Sequence, residues 1–235
     1  LNALPPGAGS AARDNGDSSW ITLFDGNSFG GWRNYGGEPG KVRNWVIRDG
    51  ALEFQPGEFG FLQMVRGYLF GGTTGDLIYA AETFRNFELT LEWKISERGN
   101  SGIFYFVADE SETTPWKTGL EMQVLDNDGH ADGQIHTHRA GDLYDLVAAD
   151  PETVRPPGEW NEVLIRVHDN HIEHWLNGVR VLEITRFSTR WDELIAASKF
   201  ADWPGFGTAE QGYIALQDHG DPVWYRNIRI RRLDD

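Results

Sequence analysis

The segment GLEMQVLD carries Glu121, Gln123 and Asp126, an acid, an amide and a second acid within six positions. Period-two alternation sends Met122 and Val124 to a core and turns Glu121 and Gln123 to the opposite face, about 7 Å apart along a strand. Asp126 joins them if a bulge interrupts the alternation after Val124. Such a face can take up a proton, hold hydroxyl groups or act as an acid–base pair. The same alternation also suits an ordinary solvated face.

The stretch HADGQIHTHRAGDLYDL holds His130, His136 and His138, with Asp142 and Asp145 behind them. His136 and His138 are two apart, so on extended backbone both imidazoles point the same way, as metal ligands or a general base would. No third ligand stands at a diagnostic spacing, so the pattern names no metal. A divalent ion is one use for these residues, and capping turns is another. Further along, Lys199 emerges beside Phe200, Trp203 and Phe206, where lost hydration would lower its pKa; a plain surface lysine is the alternative. Gln217 and His219 share one face of the segment Tyr213 to His219. Arg226 has the parity of Trp224, Ile228 and Ile230, an apolar face on which a guanidinium needs a partner such as Glu121 or Asp126. Of the ten tryptophans, Trp20, Trp32, Trp45, Trp93 and Trp160 fall in or beside alternating strands and read as core. Trp116, Trp203 and Trp224 are better placed to stack on a sugar ring while neighbouring polar side chains take its hydroxyls.

The elements that must position these groups are strands. In NFELTLEWKIS, Phe87, Leu89, Leu91, Trp93 and Ile95 share one face and Glu88, Thr90, Glu92 and Lys94 the other, as in a half-buried antiparallel strand. Further strands are expected at Trp45 to Ile47, Ala51 to Phe54, Ser101 to Val107, Gly119 to Leu125, Trp160 to His168, Ile172 to Leu176, Val179 to Thr185, Gly212 to Gln217 and Val223 to Arg231. Asp49-Gly50 and Asn177-Gly178 read as hairpin turns. Helix is confined to the short piece Trp191 to Lys199. Many short strands with 28 glycines to turn them predict an all-β, antiparallel two-sheet sandwich. The long connections Gln55 to Asp76, Asp126 to Gly158 and Arg186 to Gln211 are expected to build the site over a sheet face.

The chain has 235 residues, with 21 Lys+Arg against 36 Asp+Glu and a formal charge of −15. So acidic a surface, without a basic patch, disfavours nucleic acid and anionic lipid. There is no cysteine, which excludes disulfides, thiolate nucleophiles and Cys-based metal sites. No apolar run approaches the ~20 residues of a membrane-spanning helix. Residues 1–19 read as a flexible tail or linker of the kind that follows a removed export signal, and 20–235 as a single sandwich domain.

Seven segments in order, LFDGNSFGGW, WVIRDGAL, FELTLEWKI with RGNSGIF, GLEMQVLD, PPGEWNEVLI, HWLNG and GYIALQDHGDPVWYRNIRI, give the chain from Trp20 to Leu233 a close resemblance to the 3-keto-disaccharide hydrolase domain family. The resemblance implies a concanavalin A-like jelly roll, related in shape to laminarinase-type glycanases. It also implies an exported, periplasmic bacterial enzyme. In those glycanases the catalytic strand reads E-x-D-x-x-E; here Glu121, Gln123 and Asp126 have the spacing, but an amide stands in the middle and a shorter acid at the end. Retaining glycosidases need two carboxyl groups about 5 to 5.5 Å apart, so the implied chemistry is of another kind. Oxidation of a sugar at C3 acidifies the C2 proton, so one base can form an enolate that expels the C1 substituent, and water then adds to the glycal. This implies Glu121, His138 or His219 as base, with Lys199, Arg226 or a divalent ion at the C3 oxyanion. Asn100, in the GNSG turn, joins Gln123, Asp126 and Gln217 in positioning hydroxyls, beside Trp116 and Trp203. The implied partner is an oxidised glycoside or disaccharide, supplied by a sugar 3-dehydrogenase. Two competing readings are a lectin-like module without catalysis and a conventional glycoside hydrolase using Glu121 and Asp126.

Overall fold

The computed structural model describes residues 19–56, 75–108, 112 and 114–234. The expected N-terminal tail, save its last residue, and most of the Gln55 to Asp76 connection lie outside them. The described residues form two antiparallel sheets stacked as a jelly-roll sandwich. The larger sheet runs in the order β11 (Val179–Thr185), β10 (His171–Leu176), β9 (Asn161–His168), β6 (Phe87–Ile95), β13 (Val223–Arg232), β4 (Ala51–Phe54) and β3 (Trp45–Arg48), with β1 (Trp20–Thr22) also paired to β13. The smaller sheet runs β2 (Trp32–Asn34), β5 (Leu77–Phe84), β12 (Gly212–Leu216), β7 (Asn100–Val107) and β8 (Leu120–Leu125).

The core between the sheets follows the alternation. Leu89, Leu91, Trp93 and Ile95 of β6 meet Ile103 and Tyr105 of β7 and Leu120, Met122 and Val124 of β8, all buried. Both expected hairpin dipeptides have the positive φ their turns demand: 51° and 73° at Asp49 and Gly50, 52° and 83° at Asn177 and Gly178. The helix, α1 (Thr189–Ala197), starts earlier than its apolar residues suggest because Ser188 caps it, accepting a hydrogen bond from Trp191 N at 3.2 Å. It ends at Ala197, where Ser198 N closes the last turn on Ile195 O at 3.1 Å, so Lys199 lies beyond it. Strands β1, β2 and β5 lie outside the alternation reading. The first two are three residues long, and β5 opens with Leu77, Ile78 and Tyr79 buried in succession, as happens where both faces of a strand are covered.

One irregularity moves an expected residue. Between Arg226 and Arg229 the β13 register shifts, with Asn227 at φ 54°. This bulge reverses the parity: Ile228 and Ile230 are buried, whereas Trp224 and Arg226 face outward on the larger sheet. There Arg226 donates to Glu92 Oε2 from Nε at 2.9 Å and from Nη2 at 2.6 Å, and its guanidinium lies 3.9 Å from the Trp160 ring centroid. Neither Glu121 nor Asp126 is its partner. Lys94 lies over both Trp160 and Trp224, 5.0 and 4.5 Å from their centroids, so Trp224, expected to stack on a sugar, instead holds a cation on the outer face of the larger sheet. Trp160 and Trp20, expected in the core, are half-buried on this outer side, while Trp32, Trp45 and Trp93 are buried.

Candidate active site

The smaller sheet turns its second face toward the connections Asp126 to Gly158 and Arg186 to Gln211, and a cavity of about 620 Å³ opens there. Its floor follows from the pairing of β7 with β8, in which Phe104 lies opposite Glu121 and Gly102 opposite Gln123. Phe104, Ile78, Ala215, Val107 and Tyr35 form a small apolar layer beneath it. Glu121 stands on this layer and Gln123 beside it, both lining the cavity as the alternation predicts. Gly102 makes the room: a Cβ there would overlap the Glu121 carboxylate. Glycine in the GNSG turn is thus a steric requirement of the acid across the ladder.

Strand β8 is the edge of its sheet, and the connection after it covers that edge. Gln123 N donates to Asp142 O at 3.1 Å, Gly141 N to Gln123 O at 2.9 Å and Tyr144 N to Glu121 O at 3.0 Å. This pseudo-strand pairing protects the edge and sets Tyr144 next to Glu121 in the cavity wall. Asp142 anchors the connection, accepting from Arg139 N and Ala149 N, both at 2.6 Å, and burial pushes its carboxyl up to about 7.

Glu121 is 8 % exposed, and burial pushes its carboxyl up to about 8; Lys199 pulls it down, and Asp76 and Asp132 push it further up. Lys199 emerges from the exposed mouth, and its Nζ lies 4.1 Å from the Tyr144 ring centroid and 5.4 Å from that of Phe200. Burial lowers the lysine's pKa, while Glu121, Asp145 and Asp132 act against this. A proton acceptor tuned near neutrality thus stands within the field of an ammonium group.

At one end of the cavity, Asn100 Nδ2 donates to Asp132 Oδ2 at 3.4 Å. Gln123 Nε2 donates to Asn100 Oδ1 at 3.2 Å; with the amide turned over, its nitrogen donates instead to Glu121 Oε1 at 3.1 Å and to Ser101 O at 3.3 Å. The latter orientation suits an ionised Glu121. Gln217, Asp218 and His219 complete this end. Asp76 holds the turn, accepting from Asp218 N at 2.7 Å, and burial pushes Asp218 up to about 6.

Glu121, Lys199, His219, Asn100, Gln123, Trp116, Trp203 and Gln217 are therefore all brought to one cavity. Arg226, Asp126 and His138 lie elsewhere, as does Trp224. Arg226 is on the outer face of the other sheet, as described. Asp126 follows the end of β8 with no bulge to return it to the cavity; its carboxylate accepts from Arg98 N at 2.7 Å, Asp128 N at 3.3 Å and Gly129 N at 3.1 Å, which makes it the organiser of a turn. His138 sits behind Tyr144, stacked at 4.2 Å between centroids, with Nε2 3.0 Å from Asp145 Oδ1. It supports Tyr144 and does not line the cavity. His136 is exposed while His138 is buried, because the segment turns and is not extended.

Asp76, Asp132, Tyr144 and Asp218 line the cavity without having been expected there. Asp132 and Tyr144 belong to the long connection already singled out, but only its tertiary contacts select them, Tyr144 through the pairing with β8 and Asp132 through Asn100. His130, His219 and Asp221 offer ligand atoms within 4.8 Å of one another, the one such group among the described residues that could hold a metal ion. His130 Nδ1 accepts from Asp132 N at 3.1 Å, which leaves the imidazole proton on Nε2. Ligation would require the ring to surrender that cap.

Residues 19–231 match the family described as the 3-keto-alpha-glucoside-1,2-lyase-like domain. A 3-keto-disaccharide hydrolase of Bacteroides thetaiotaomicron is 39% identical over 239 residues, covering 92% of this chain and 79% of the relative. A crystal structure from Parabacteroides distasonis, put forward as a glycosyl hydrolase, superposes with a TM-score of 0.79 at 28% identity, over 92% of this chain and 94% of that one. SCLam, a non-specific endo-β-1,3(4)-glucanase of family GH16, shares the fold, with a TM-score of 0.50 at 12% identity over 91% of each chain.

Proposed function

Since the chain belongs to the family of 3-keto-alpha-glucoside-1,2-lyase-like domains and is a carbohydrate-active hydrolase, we propose that it cleaves 3-keto-glycosides by C2 deprotonation. The observation that carries this reading is Glu121: a buried carboxyl, raised to about 8, in a cavity that also holds Lys199. An acid held near neutral pKa is a competent base for a carbon acid next to a ketone. Glu121 takes the C2 proton, and the C–H electron pair forms the enolate, whose charge rests on the C3 oxygen. Lys199, whose ammonium lies over the Tyr144 ring beside Glu121, steadies that oxyanion. The enolate then re-forms the C3 carbonyl, a C1–C2 double bond develops, and the C1–O bond breaks as the proton taken up by Glu121 passes to the departing oxygen, which returns Glu121 to its ionised form. Water adds its hydroxyl to C1 and its proton to C2, so the net change is hydrolysis.

Asn100, Gln123, Gln217 and His219 are the polar groups that would bind the ring hydroxyls in this scheme. A divalent ion held by His130, His219 and Asp221 would supply further charge at the C3 oxygen. The conventional pair of Glu121 with Asp126 gains no support, since the Asp126 carboxylate is committed to backbone amides. The proposal includes a sugar 3-dehydrogenase acting upstream and an exported, periplasmic setting.

The test is incubation with a glucoside and its 3-keto derivative, with and without EDTA, following aglycone release. Release from the keto member alone, lost by 10²-fold or more in Glu121→Gln, is the expected result. Retention of activity in EDTA assigns the oxyanion to Lys199, and loss assigns it to the ion. Release from the unoxidised glucoside overturns the keto-sugar reading; binding of both members without any product moves the protein to the lectin-like class.

A further inference from the structure

The cavity is chemically divided along β8, and the division has a direction. Before β8, the 3-10 turn Pro115–Lys117 carries Trp116, and Gly207 N donates to Thr118 O at 2.9 Å. That bond brings in the segment bearing Phe200, Trp203 and Phe206. Trp116 and Trp203 lie 5.1 Å apart at 39°, Phe200 and Trp203 5.3 Å apart, and Phe200 stacks on Phe206 at 3.7 Å and 9°. Beyond Gln123 the character reverses. Asn100 lies opposite Leu125, its N–H donates to Asp221 Oδ2 at 3.1 Å, and Gln217 N donates to Gly102 O at 3.0 Å. Asn100, Asp132, Gln217, Asp218 and His219 thus crowd the far end. From Gly119 to Leu125 the strand spans roughly 20 Å, aromatic at its start and polar at its finish, with Glu121 between.

We propose that the aromatic end is the leaving-group subsite, and that Trp203 and Trp116 select 3-keto-glycosides whose C1 substituent presents a flat apolar face, such as an aryl group. The inference rests on the proposed chemistry and follows from ring geometry. C2 lies between C1 and C3, so a sugar whose C2 proton meets Glu121, whose C3 oxygen faces the Lys199 ammonium over Tyr144 and whose remaining hydroxyls meet the polar end points C1 toward Gly119. The leaving group then rests against the two tryptophans. Tryptophan faces favour apolar and aromatic partners over hydrated alkyl stubs.

The experiment compares 4-nitrophenyl and methyl 3-keto-glucosides of one anomeric configuration, with wild type, Trp203→Ala and Trp203→Phe. The ratio of wild type to variant is taken for each substrate, so intrinsic leaving-group reactivity cancels. Trp203→Ala is expected to lower kcat/KM at least tenfold for the aryl substrate and less than threefold for the methyl one, with Trp203→Phe recovering most of the loss. Equal losses on both substrates, or no loss on either, overturn the subsite. Calorimetry of the same ligands with Glu121→Gln gives a readout independent of turnover: aryl binds at least tenfold tighter than methyl, and adding Trp203→Ala removes the difference. If wild type turns over neither keto-glycoside but this preference is present, the proposed chemistry fails and the aryl subsite stands; turnover without the preference has the opposite meaning.

Discussion

Replacing Glu121 by Gln keeps the shape of the side chain and removes its proton chemistry, so it separates what burial costs from what the carboxylate does. Burial raises this carboxyl from its ordinary 4.5 to about 8. A group whose folded pKa lies above its unfolded value stabilises the fold only while it is protonated. The wild type therefore loses stability from this group as pH rises from 4.5 to 8, at up to about 1.4 kcal/mol per pH unit. The full loss is roughly 5 kcal/mol, an upper value because water can enter the open cavity around the ionised group. Glutamine carries no such dependence. Urea melts of both proteins at pH 5, 7 and 9 should show the stability difference moving steadily in favour of the glutamine variant, then levelling above pH 8. Turnover should move the other way, down at least 10²-fold on the wild type's plateau above pH 8, with the gap narrowing as pH falls and Glu121 is protonated. In the wild type, log kcat/KM should climb with unit slope below about pH 8 and flatten above it. A stability difference that does not change with pH would refute the burial argument. A kcat/KM that falls as pH rises through this range would make Glu121 an acid and not the base.

Gly102→Ala places a methyl where the Glu121 carboxylate lies, and it should cost about 1–3 kcal/mol of stability and at least tenfold in kcat, read from melts and single-turnover rates. Arg226→Ala should leave kcat/KM within twofold, since its partners Glu92 and Trp160 are on the far sheet, and cost about 1 kcal/mol or less. In the core, Tyr105 OH donates to His174 Nε2 at 2.8 Å and His174 Nδ1–H donates to Gly141 O at 3.0 Å. His174→Phe strands both partners and should cost about 1–3 kcal/mol at pH 7. Burial pushes His174 down to about 4, so the unfolded chain binds the extra proton and the wild type loses this advantage as pH falls from 6.5 toward 4; melts at pH 7 and 5 should show the gap closing.

The sandwich was legible in the sequence because half-buried antiparallel strands must alternate, and NFELTLEWKIS, GLEMQVLD and the two hairpin dipeptides state that alternation locally. The same parity turned Glu121 and Gln123 to one face without any knowledge of what lay opposite. The sequence also marked the aromatic neighbourhood of Lys199. Tertiary structure decided what parity cannot carry. A bulge at Asn227 reversed the count along β13 and sent Arg226 to the outer sheet, and the end of β8 at Leu125 left Asp126 to cap a turn. The entry of Tyr144 into the cavity depended on a connection pairing with the β8 edge, and that of Asp132 on its turn meeting Asn100. The retreat of His138 behind Tyr144 depended on that same pairing. Local alternation specifies which way a side chain points; only long-range pairing and packing specify what it meets, because those contacts join residues far apart in the chain whose types show no mutual pattern.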